Sequence, residues 1–135
     1  MATQNNKGLA EAGKAAGSGP TEPRRVVILN AMPMNALPQK HLRLEALPVA
    51  PNEFVEWVKR RLEGGWRVIH YVRHVGTIQA LRSAGVPINE APETGLYKYR
   101  EGDVMAVVTL KNPTRGQEQT AVTLDDLAVW LVWVT

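Results

Sequence analysis

The chain has no cysteine among its 135 residues. Disulfides and thiolate metal sites are therefore excluded, and a cytoplasmic setting is the natural expectation. No apolar run approaches the ~18–20 residues of a membrane span, so no membrane partner is expected. The N-terminus lacks the apolar core of a secretory signal. Net charge is scarce once the N-terminal stretch is set apart. Residues 1–25 hold Lys7, Lys14, Arg24 and Arg25 against Glu11 and Glu22, leaving 12 of the 16 basic and 11 of the 13 acidic residues for the rest. A body so nearly neutral offers no basic stripe for long nucleic acid. It leaves room for a small anion gripped by one or two arginines. Common chemical signatures are missing as well: no Walker loop, no dinucleotide fingerprint, no HExxH and no GxSxG. The histidines His41, His70 and His74 show no ligand spacing, so no metal or other cofactor is expected.

What is present reads as one folded domain. Residues 1–24 are rich in Ala, Gly, Ser, Asn and Pro and read as a disordered tail or linker. The domain spans 25–135. Arg25 to Asn30 is apolar on both faces, as in a central strand. "HLRLEAL" alternates, with Leu42, Leu44 and Ala46 on one side, and reads as a half-buried strand. Pro51 opens a helix whose apolar face is Phe54, Val55, Val58 and Leu62, and Gly64-Gly65 stops it. Trp66 to Val72 is a further strand, followed by a helix from Val75 to Ala84 that Gly85 closes. "LYKY" and "DVMAVVTLK" read as a hairpin around "REGD". Thr123 and Asp126 form a capping-box pattern for a helical turn, and "VWLVWVT" is a last strand. The sum is an α/β fold: a mixed sheet of about five strands flanked by helices. Trp130 and Trp133 have opposite parity on the last strand, so one of them faces away from the core, toward a partner.

Three segments carry chemistry-bearing residues. In "RHVGTIQAL", His74 stands at a strand-to-helix junction, where crevices form at strand ends. The N–H groups of Val75, Gly76 and Thr77 open a helix there and suit an anion. On spacing alone, an exposed loop histidine accounts for this stretch as well. In "KNPTRGQEQ", Arg115 offers a planar fork for phosphate, and Glu118 can orient a hydroxyl or assist proton transfer. A surface loop of ordinary charge explains it equally. In "LNAMPMNAL", Asn30 and Asn35 flank a turn, where their amides can read sugar hydroxyls or base edges, or simply form the turn.

Taken in order, the three segments resemble a small α/β family first seen in archaeal viruses, whose members include the viral ring nucleases that act as type III anti-CRISPR proteins. "LNAMPMNAL" is similar to the family's "LNAF" or "NAFS" turn. "RHVGTIQAL" is similar to its "GHxST" turn. Arg115 and Glu118 match its Arg and, three residues on, Glu after a long strand. The likeness runs from about Arg25 to Val134. Arg73, Gly76 and Pro33 stand where the family carries Gly, Ser and Ser.

The resemblance implies an enzyme. It would be a metal-independent nuclease that breaks cyclic tetra-adenylate into linear di-adenylate bearing a 2′,3′-cyclic phosphate and so switches off type III CRISPR signalling. It implies a homodimer in the host-cell cytoplasm, with the ring lying across the two-fold axis. It assigns His74, Arg115 and Glu118 to catalysis: His74 as the acid for the departing 5′-oxygen, Arg115 on the phosphoryl oxygens, and Glu118 orienting His74 or the 2′-hydroxyl. Asn30, Asn35, Gly76 and Thr77 fall to substrate binding. Two other readings stand beside it: a protein that sequesters a cyclic nucleotide without cutting it, and a protein-interaction module carried by the Trp-rich last strand.

Overall fold

The order β2-β5-β4-β1-β3 describes a single five-stranded mixed sheet. The computed structural model describes residues 23–88, 92–111 and 122–135. The strands are β1 (Arg25–Leu29), β2 (Leu44–Val49), β3 (Arg67–His70), β4 (Val104–Leu110) and β5 (Leu127–Val134). Two helices, α1 (Pro51–Glu63) and α2 (Val75–Ser83), connect β2 to β3 and β3 to β4. β1 runs parallel to both β3 and β4, and β5 runs antiparallel to both β4 and β2. β1 is central, and Val26 to Leu29 are buried on both faces, as its unbroken apolar run requires. β2 is an edge strand. Its Pro48, which cannot donate to a ladder, is tolerated there.

Strand parity sorts the core into two halves. Val26, Ile28, Val104, Ala106, Leu127, Val129, Leu131 and Trp133 meet Phe54, Val55, Trp57 and Val58 of α1 and Ile78, Ala80 and Leu81 of α2. Both helices therefore cover one face. Among the described residues no α-helix lies on the other face. Over it lie Ala36 and Leu37, from a 3₁₀ turn at Met34–Ala36, together with Leu42, Tyr71, Tyr97 and Tyr99. The two parities of β5 separate its tryptophans. Trp133 is 8% exposed on the helix side, whereas Trp130 is 45% exposed on the helix-free side. Trp130 pairs across the sheet with Pro48 and Val107.

The "LYKY" segment corrects the hairpin expectation. Residues 96–100 form no strand. β4 has no free edge to offer them, because β1 and β5 occupy both sides. The segment instead straps the helix-free face. Glu93 N–H donates to the His70 carbonyl at 2.8 Å and Tyr99 N–H to the Ala36 carbonyl at 2.9 Å. Between these anchors Tyr97 turns inward and Leu96 is left 89% exposed.

Helix ends follow local chemistry. α1 starts with Pro51 in its first turn and ends at Gly64-Gly65, where Gly65 has φ +89°. Arg61, in the last turn of α1, lies over Trp57 and Trp66 at 5.5 and 5.8 Å rather than standing in solvent. α2 ends in a reversal at Gly85, φ +104°, with Val86 N–H bonding the Leu81 carbonyl at 3.0 Å. Before β5, Thr123 donates to the Asp126 carboxylate through N–H (2.8 Å) and hydroxyl (3.0 Å), the capping pattern expected there. No helix among the described residues is long and apolar enough to cross a membrane.

Candidate functional site

Three parallel strands end at one edge of the sheet, and this edge gathers the sequence-predicted residues that the structure describes. β1 exits into Asn30 and the 3₁₀ turn. β3 exits through Tyr71, Val72 and Arg73 into His74. Ile28 pairs with His70, and Tyr71 N–H donates to the Ile28 carbonyl at 3.0 Å. The two exits are therefore neighbours at the same height. Asn30 and Asn35 are exposed, His74 is half-buried, and Gly76 and Thr77 are buried. β4 also ends here, and β5 starts here: Lys111 N–H donates to the Asp126 carbonyl at 2.9 Å. Arg115 and Glu118 lie between these points in sequence and fall outside the described residues.

His74 is the N-cap of α2. Its backbone is extended, φ −78° and ψ 109°, and its Nδ1 accepts from the Thr77 N–H at 3.2 Å. The Thr77 hydroxyl stands 2.9 Å from the same nitrogen. The His74 carbonyl takes the Ile78 N–H at 3.2 Å. An imidazole here does the work usually done by Ser, Thr, Asp or Asn. The sequence pattern suggested Thr77 as a cap or ligand donor. In the fold its N–H and hydroxyl both face the histidine, so Val75 and Gly76 carry the N–H groups that can face an anion at this terminus.

Two clefts flank the edge. One, about 490 Å³, is lined by Val72, Arg73, Val75, Ile78, Gln79, Arg82 and Pro92. Arg73 and Val75, the residues on either side of His74, both contribute to it. The other, about 460 Å³, lies between the β1 turn and the strap. Met32, Pro33, Met34, Asn35 and Leu96 are among its walls. Met34, Val75 and Leu96 are three of the large apolar side chains left exposed, and each borders one of these clefts. Pro33 and Gly76 leave this edge without the hydroxyls a serine would supply. Sequence reasoning did not find Arg73, Gln79 and Arg82 as a lining set. Gln79 and Arg82 stand four and seven residues past Val75 on α2, and that helical spacing was the available signal.

The other histidines are placed elsewhere. His70 is buried on the helix side of β3, and His41 is exposed before β2. Among the described residues no three His, Cys, Asp or Glu side chains gather to hold a metal ion.

The fold has a solved counterpart. B116 of Sulfolobus turreted icosahedral virus, an archaeal virus, superposes with a TM-score of 0.60 at 18% identity, the match covering 81% of this chain and 98% of that one. At this identity the likeness concerns the fold. No family model matches the chain, and no curated protein matches it.

Proposed function

We propose that the protein is a metal-independent ring nuclease that opens cyclic tetra-adenylate and thereby silences type III CRISPR signalling. The observation that carries the reading is the pairing of strand exits. The Asn30–Asn35 turn and the His74 cap leave adjacent parallel strands at one sheet edge, with clefts on either side. The viral fold likeness and the motif order in the sequence support it.

In the proposed reaction a ribose 2′-oxygen attacks the adjacent phosphorus. The 2′-O–P bond forms, the P–5′-O bond breaks, and a 2′,3′-cyclic phosphate results. The protein's task is to hold the in-line geometry and to stabilise charge on the phosphoryl oxygens. Asn30 and Asn35 position the ribose and base. Arg115 and the Val75 and Gly76 N–H groups meet the phosphate. His74 meets the departing 5′-oxygen, and Glu118 orients the 2′-hydroxyl. A two-fold ring suits an isologous homodimer. Trp130, Pro48 and Ala46, exposed side by side among the described residues, form the surface on which a second copy would pack.

Incubation of the full chain with cyclic tetra-adenylate in EDTA tests the reading, with products identified by mass spectrometry. Linear di-adenylate with a cyclic phosphate end is the expected product. The missing hydroxyls at Pro33 and Gly76 favour one competing reading, sequestration. Tight binding with the ring recovered intact would select it.

A further inference from the structure

The cleft beside α2 holds more charge than the breaking of one bond requires. Val72 and Ile78 give it an apolar lining that is almost fully buried, and Pro92 and the exposed Val75 extend that lining. Its polar lining is Arg73, Gln79 and Arg82, all exposed. No carboxylate stands among the described lining residues. Val75, Gln79 and Arg82 fall at i, i+4 and i+7 on α2 and so share one stripe. Val75 and Arg82 are about 10 Å apart along the helix axis. Arg73 precedes the helix, so the two arginines are rooted at opposite ends of the stripe, with Gln79 between them.

At about 490 Å³ the cleft has the size of an ordinary small-molecule site. A bare phosphate has no use for the apolar lining, and a hydrocarbon has none for two cations. A nucleotide with a phosphate on both its 5′ and 3′ sides uses every part. The base covers Val75 and the buried apolar side chains behind it. Each guanidinium fork takes one phosphate. The Gln79 amide offers one acceptor and one donor, which match N6 and N7 of adenine. Guanine presents two acceptors on the same edge.

We propose that this cleft is an adenine-nucleotide subsite, in which Arg73 and Arg82 hold the two flanking phosphates of one unit and Gln79 reads its base. The inference deepens the ring-nuclease reading and rests on it only for the use of the site. Arg73 and Val75 flank His74 in the chain, so the unit held is a neighbour of the bond that breaks. Every unit of a closed ring carries a phosphate on each side, so the subsite favours a ring over a mononucleotide.

The test is titration of the full chain with adenosine 3′,5′-bisphosphate, followed by proton–nitrogen NMR. Shifts are expected at Val75, Gln79 and Arg82. Adenosine 5′-monophosphate, with one phosphate fewer, should bind roughly tenfold more weakly. Guanosine 3′,5′-bisphosphate should be weaker by a similar factor. Arg82→Ala should erase the preference for two phosphates over one, and Gln79→Leu the preference for adenine over guanine. Both positions are exposed and both replacements are good helix formers, so the variants should fold. Inorganic phosphate binding as tightly as the bisphosphate overturns the proposal. So do shifts confined to Met34, Asn35 and Leu96 at the other cleft, or preferences unchanged in the two variants. Binding needs no turnover, so the two readings fail separately. A wild type that takes the bisphosphate here but leaves cyclic tetra-adenylate intact ends the ring-nuclease reading and keeps the subsite. A wild type that opens the ring but shows no shift in this cleft ends the subsite.

Discussion

Asp103 is 2% exposed, and three groups converge on its carboxylate. Arg25 donates through Nε at 2.9 Å and Nη2 at 2.6 Å, the Tyr97 hydroxyl donates at 2.7 Å, and the Arg100 N–H at 3.1 Å. The pair ties the start of β1 to the turn that enters β4, at the opposite sheet edge from the candidate site. Removing one member strands the other charge in a dry place. Asp103→Ala should therefore cost roughly 3–5 kcal/mol in urea unfolding. Replacing both, as in Arg25→Met with Asp103→Leu, should recover most of that loss. Burial first, and then the bond to Asp103, push the Tyr97 phenol well above its ordinary value. A phenol whose folded pKa is raised contributes stability that is full below the unfolded value of about 10 and is lost as pH rises above it. Wild type should lose stability steeply above about pH 10. Tyr71 and Tyr99 are raised too and contribute in the same direction. The difference between wild type and Tyr97→Phe isolates the Tyr97 share, and the variant should lose less over that range. An identical alkaline slope in both would contradict the assignment.

At the scale of elements, α2 depends on an unusual cap. His74→Ala should cost about 1 kcal/mol, the ordinary worth of an N-cap, while His74→Asn should keep nearly full stability because asparagine caps well. Thermal unfolding of the two variants checks this. Helix starts, stops and strand polarity were readable because proline, glycine and apolar period act locally. Pro51, Gly64-Gly65, Gly85 and the Thr123–Asp126 pair each mark an end that the fold uses. The strap was not readable. "LYKY" alternates like a strand, and only the sheet order reveals that β4 has no edge left for it. The direction of the His74–Thr77 contact was hidden for a similar reason. Spacing places the two residues one turn apart but does not say which side chain caps which backbone. The Arg25–Asp103 pair joins positions 78 residues apart, beyond any local pattern.

At the scale of the molecule, the described residues clothe the sheet with both helices on one face and only in part on the other. Trp130 stands on the uncovered part, with Pro48 and Ala46 beside it across the β2–β5 ladder. A tryptophan in such a place is a natural anchor for a second copy. Light scattering should report a dimer for wild type and a monomer of unchanged melting temperature for Trp130→Glu. A wild-type monomer at tens of micromolar would remove the dimer from the account.

Ring opening at the strand-exit edge is the central chemistry proposed for the protein. The measurement that addresses it most directly is the single-turnover rate of cyclic tetra-adenylate cleavage in EDTA, wild type against His74→Asn. The asparagine variant keeps the α2 cap and lacks only the imidazole. A loss of roughly 10²-fold or more is predicted, within the range for removing a general acid. An intact ring with wild type, or an equal rate in the two proteins, would contradict it.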